Sequence, residues 1–212
     1  MHKRERSLLP WLLTGTVSLL ALYAWGHSFA WQFSAINTYQ LFPVFGLLAY
    51  SIMWSHYMVG SAKHSLFKDI PLNSYFRLTG YAVLLAIVLH PGLLVYQLFR
   101  DGYGLPPNSY EHFVAPGLAW VTLLGSVSLL CFLAFELHRW YGRRDWWKYV
   151  ITAGDAAMLA ILYHSLRLGS QLMGGWYRAV WFFYGTTLVL VLVRKYVRLA
   201  QRRPSAEQTT DW

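Results

Sequence analysis

Six long apolar runs divide the chain, roughly Leu8 to Trp25, Leu41 to Val59, Leu78 to Phe99, Phe113 to Glu136, Tyr149 to Leu166 and Ala179 to Val193. A helix needs about 20 mostly apolar residues to cross a hydrocarbon core of about 30 Å, and these runs are read as meeting that need. They are apolar all round and do not alternate, which excludes membrane strands. Composition agrees: 56% of residues are hydrophobic, 18% aromatic and 13% charged, against about 25% charged in soluble domains. The expected fold is an all-α integral membrane protein, a bundle of six transmembrane helices over residues 1–201, followed by a polar tail, 202–212.

Basic residues orient such a bundle, because lysine and arginine collect in cytoplasmic loops. With the N-terminus inside, 15 of the 18 Lys and Arg fall in inner segments, and only Arg100, Arg167 and Arg178 fall in outer ones. Both termini are therefore expected in the cytoplasm of a cell bounded by a bacterial inner (plasma) membrane, with lipid as a partner. The same charges sit in short clusters between apolar runs, so they form no stripe for nucleic acid. Basic residues before the first run and Ser28-Phe29-Ala30 after it resemble a signal peptide, but the apolar stretch exceeds the 7 to 15 residues of a signal core, and the run is expected to be retained. Cys131 is the only cysteine, so neither a disulfide within the chain nor covalent c-type haem attachment is open to it.

Ionisable groups deep in a membrane are costly and mark function. His56, His90, Asp155 and His164 lie deep; His2, His27, His64, His112 and His138 lie in loops or near helix ends. His90 is 13 residues beyond Arg77 and His164 is 16 beyond Lys148, about 20 and 24 Å along two helices that run outward. Two imidazoles at similar height in the outer half of the bilayer match the axial ligation of one haem b, with neutral ring nitrogens on a six-coordinate iron. Small residues at Gly80, Ala82, Ala86, Gly154, Ala156 and Ala157 give a flat cofactor room near the backbone. Arg167, three residues beyond His164, shares its helix face and suits a haem propionate, although an arginine snorkelling to headgroups fits equally well. Pro91 removes a helix hydrogen bond beside His90 and is expected to kink that helix, with or without functional meaning. For Asp155, a structural hydrogen bond to a neighbouring helix is favoured over proton or cation handling.

Arg77-Leu78-Thr79-Gly80 followed ten residues later by His90, and Trp147 followed seventeen residues later by His164, resemble the ferric reductase-like transmembrane domain. That family is shared by ferric reductases, NADPH oxidases and the haem-binding membrane subunit of periplasmic methionine sulfoxide reductase systems. The resemblance covers nearly the whole chain. It implies cofactor-binding roles for His90, His164, Arg167, Gly80 and Arg77, with the two histidines as the iron ligands. Family members with two haems carry a further histidine 13 or 14 residues earlier on each ligand helix. Here those positions hold Phe76, Arg77, Val150 and Ile151, so one haem is expected, with His56 and either His64 or His138 as the lesser candidates for a second site.

No glycine fingerprint for a dinucleotide is present, so electrons are expected from quinol, from a cytoplasmic flavoprotein or through a partner-supplied flavin. They would leave toward an outer acceptor such as a periplasmic reductase. The competing expectation is a haem-free transporter or scaffold in which His90, Asp155 and His164 form a proton or metal path.

Overall fold

The computed structural model describes residues 3–137 and 141–201; His2, His138, Arg139 and the tail 202–212 lie outside the described residues. Among the described residues helices are the only regular elements. Its long helices are α1 (Lys3–Ser28), α2 (Thr38–Ser61), α3 (Asn73–Arg100), α4 (Ala119–Glu136), α5 (Trp147–Leu168) and α6 (Gly175–Gln201), with short 3-10 turns at Phe33–Ala35, Asn108–His112 and Ser170–Leu172. Five of them, α1, α3, α4, α5 and α6, are long and apolar enough to cross a membrane. Large apolar side chains such as Leu12, Leu19, Leu85, Leu130 and Leu190 face outward and are more than half exposed, a surface suited to lipid.

The exception among the six runs is α2. At 24 residues it is about 36 Å long, so length is not what it lacks. Ser51, Ser55 and His56 break its apolar character, and ten of its residues are buried in the bundle. A helix enclosed by its neighbours has little lipid to face, which frees it to carry hydroxyls and an imidazole. Its start is set by a capping box: the Asn37 side chain accepts from the Gln40 backbone N–H (3.0 Å), and the Gln40 side chain accepts from the Asn37 N–H (3.1 Å).

The fourth helix starts later than the apolar run suggested. Its first residue is Ala119, because Tyr110 to Leu118 is taken up by the end of a 3-10 turn and by loop, with Gly117 at φ +80° after Pro116. Conversely, α6 extends beyond the expected Ala179 to Val193 at both ends. Basic residues stop an apolar run without stopping a helix.

Packing is uneven. The hairpins α2–α3 and α4–α5 are the closest helix pairs, α1 lies along α2, and α3 and α4 meet only slightly. The main core gathers Val17 and Ala21 of α1, Tyr50 and Trp54 of α2, and Trp181, Tyr184 and Leu188 of α6. Two polar knots join helices inside the bundle. Thr14, Ser55 and Tyr75 form a triangle of hydroxyls with edges of 2.7 to 3.0 Å, linking α1, α2 and α3. Asp155 on α5, 5% exposed, is ion-paired with Lys195 and accepts hydrogen bonds from Tyr57 (2.8 Å) and Tyr196 (2.7 Å). That arrangement leaves a buried carboxylate paired and hydrogen-bonded, as burial of a charge requires.

Candidate cofactor site

Because α3 and α4 hardly touch, a cavity opens between the two tight hairpins. His90 of α3 and His164 of α5 both line it, together with Gly46, Tyr50, Pro91, Gly125, Ser126 and Trp181. Each imidazole lies 17 residues into its helix, counted from Asn73 and from Trp147, about 26 Å along each. With that shared register both rings reach the same cavity.

Each ring is held by the same device. His90 donates from Nδ1 to the carbonyl of Phe42 at 3.0 Å, and His164 donates from Nδ1 to the carbonyl of Val121 at 2.8 Å. A carbonyl inside a helix already accepts the N–H four residues on, and its second lone pair is normally covered by the side chain there. Four residues beyond Phe42 is Gly46, and four beyond Val121 is Gly125. A Cβ at Gly46 would lie 2.7 Å from Cε1 of His90, and one at Gly125 would lie 2.7 Å from Cε1 of His164. Both positions demand glycine for closeness of approach, since any side chain would occupy the volume that the ring fills. With Nδ1 protonated toward a carbonyl, a neutral imidazole keeps its lone pair on Nε2, the nitrogen left to coordinate.

The residues present fit a haem. Two imidazoles on one cavity, each oriented by a backbone carbonyl and each with Nε2 left over, would supply the protein's ligands to its iron. Among the described residues no group of three His, Cys, Asp or Glu comes together as a site for a bare metal ion. The rest of the wall is mostly apolar and aromatic, with Ser126 and Tyr110 hydrogen-bonded to one another (3.2 Å), Thr122 buried without a partner, and Ser165, Ser170 and Gln171 as further polar members.

The other sequence-derived candidates fall elsewhere. Arg77, Gly80 and Arg167 are not among the cavity-lining residues; Arg77 and Arg167 are exposed, and a Cβ at Gly80 would meet nothing within 4 Å. The small residues that matter thus lie on the helices opposite the histidines, not on the histidines' own helices. Pro91 lines the cavity, and α3 continues through it. His56 bonds Thr79 through Nε2 (2.6 Å) and lies against the edges of Tyr75 and Phe76, while His64 is exposed. Asp155 is not part of the cavity wall. No family model, curated protein or solved structure matches the chain.

Proposed function

We propose that the chain is a b-type haem membrane subunit that passes electrons from quinol or an inner-face donor toward an outer-face acceptor, as in the ferric reductase-like family that its histidine spacing resembles. The carrying observation is the duplicated mount: two imidazoles at matched register on one cavity, each with Nδ1 on a helix carbonyl and a glycine beneath the ring. A histidine that served packing alone would have no need of a notch cut in its neighbour, and two unrelated packing histidines would have no reason to share the notch.

When bound, the haem supplies one-electron chemistry. The protein's own residues would hold it and keep water away: His90 and His164 offer Nε2, the two carbonyls fix the Nδ1–H tautomer and the orientation of both rings, and Phe42, Leu94, Leu129 and Phe132 face the cavity with apolar surface. Six membrane crossings with both termini cytoplasmic accompany this reading, on the strength of the 15-to-3 distribution of Lys and Arg. A single haem in the outer half is expected, since the positions for inner ligands hold Phe76, Arg77, Val150 and Ile151. A proton or metal path through His90, Asp155 and His164 is disfavoured, because Asp155 already receives Lys195, Tyr57 and Tyr196 and stands apart from the histidines' cavity.

Protein purified from haem-replete cells should be red, with a Soret band that moves on dithionite reduction and a low-spin bis-imidazole spectrum. His90→Ala and His164→Ala should each lose that spectrum, while His27→Ala and His112→Ala keep it. Colourless protein, or an unaltered low-spin spectrum in His90→Ala, overturns the proposal.

A further inference from the structure

The cavity that His90 and His164 share has two unlike ends. At the end where α3 and α5 finish and α2 and α4 begin, its wall gathers Tyr110, Thr122, Ser126, Ser170 and Gln171. At the other end it carries Met53, Ile87, Leu129, Phe132 and Ile161, and among the described residues Tyr50 is the only polar side chain to join them. The change can be followed along α4, where Thr122, Gly125, Ser126 and Leu129 share the cavity face at spacings of three and four residues. Gly125 makes room for the His164 ring. Thr122 lies about 4.5 Å of helix rise to one side of that notch and Leu129 about 6 Å to the other.

Thr122 is set apart from the other helical threonines. Thr79, Thr152 and Thr187 each donate to the carbonyl four residues back, the usual bond of a hydroxyl inside a helix. Thr122 is 7% exposed, and its hydroxyl is buried with no partner at all. A free donor on the wall of a cavity is suited to an acceptor on whatever fills it. No lysine or arginine among the described residues lines the cavity. Arg167 is exposed, and Arg178 is taken up by the carbonyls of Leu172 and Met173, at 3.1 Å each. An anionic group there meets hydroxyls and amides, not a cation.

We infer that the cavity takes its porphyrin in a single orientation, propionate edge toward the end where α4 begins, and that Thr122 donates a hydrogen bond to a propionate. The inference rests on the haem reading for the identity of the ligand and adds which way that ligand faces and which side chain sets it. Two axial imidazoles do not fix this by themselves, because a porphyrin can turn about the line that joins them. Its edge substituents break the tie: two carboxylates on one side, methyl and vinyl groups on the rest. A carboxylate turned toward Leu129 and Phe132 would be buried with at most the Tyr50 phenol to accept from, and burying a charge without partners is among the costliest placements in a protein interior. Tyr50 is 1% exposed, whereas Ser170 at the opposite end is exposed, so a carboxylate there borders the surface as well as Thr122.

Stripped full-length protein in detergent can be titrated with haemin and with iron etioporphyrin, which has the same ring and iron but only alkyl groups at its edge. Both should give a bis-imidazole Soret band with the unaltered protein. Thr122→Val, close in shape and lacking the hydroxyl, should weaken haemin about tenfold, the worth of one hydrogen bond to a charged group, and leave etioporphyrin unchanged. Thr122→Ser, which restores the hydroxyl, should bind haemin almost as the unaltered protein does. The propionate bending band in resonance Raman spectra of the haemin complex should move in Thr122→Val and stay in place in Tyr50→Phe. Equal weakening of both porphyrins by Thr122→Val, or of neither, overturns the role of Thr122. A loss of haemin affinity confined to Tyr50→Phe would turn the propionates to the opposite end and overturn the orientation. In each of these cases the bis-imidazole spectrum of the unaltered protein leaves the haem reading standing. Unaltered protein that takes up neither porphyrin sinks the haem reading, and the orientation falls with it.

Discussion

At the scale of single residues the most exacting positions are the two glycines. An added methyl 2.7 Å from Cε1 of either imidazole must displace a ring that a carbonyl already holds, and overpacking of that kind costs about 1 to 3 kcal/mol. Gly46→Ala and Gly125→Ala should therefore fold but lower haem content at limiting haem. Equilibrium titration of the stripped protein, read from the Soret band, measures the loss, and Gly80→Ala, which meets open space, should titrate normally. The histidines were legible in the sequence because depth can be counted along a helix from its basic end, and both counts came out alike. The glycines were not, because nothing in a string of letters says which apolar helix will lie across from His90. A glycine four residues after an exposed carbonyl becomes meaningful only once a partner ring is known. The same limit applies to Gly80: it shares a helix with His90, and that proximity in sequence stood in for a proximity in space that the packing does not provide.

At the scale of elements, hydrophobic runs located the helices but misjudged their ends where chemistry changed without geometry changing, or the reverse. Phe113 to Leu118 continues an apolar run yet is not in α4, and Pro116-Gly117 was the readable sign. The basic stretch after Val193 remains helical to Gln201, since lysines and arginines are good helix formers once outside the hydrocarbon. What no periodicity reveals is how helices are tied to one another. Asp155 gathers donors from α2 and α6 onto α5, and its removal orphans the buried part of that knot. Asp155→Ala should destabilise the bundle by about 1 to 3 kcal/mol through the unsatisfied phenol of Tyr57 and the lost partner of Lys195. Thermal unfolding in detergent, followed by helical circular dichroism, checks the size. Truncating Trp181, which is fully buried against Tyr50, Tyr177 and Tyr184, should cost more, about 3 to 5 kcal/mol.

At the scale of the whole molecule, topology and stoichiometry are the quantities to measure. Reporter fusions at both termini and in the segments around Lys63 and Arg143 should all score as cytoplasmic; a periplasmic C-terminus would reverse the height argument for the histidines. A pyridine haemochromogen assay against protein concentration should return one haem per chain. A ratio near two would require His56 to abandon Thr79, and His56→Ala would then have to bring the ratio back to one. The enclosure of α2 also has a bearing on biogenesis. An emerging α2, with Ser51, Ser55 and His56 still bare, is a poor substrate for lateral release into lipid, since each unpaired polar group there costs free energy until a partner is found. For Ser55 and His56 those partners are Thr14 of the preceding helix and Tyr75 and Thr79 of the following one, so α2 settles as the middle member of a trio. Synthesis halted after Ser61 would leave that helix stranded at the insertion machinery, while a chain extended through α3 would carry it into the bilayer.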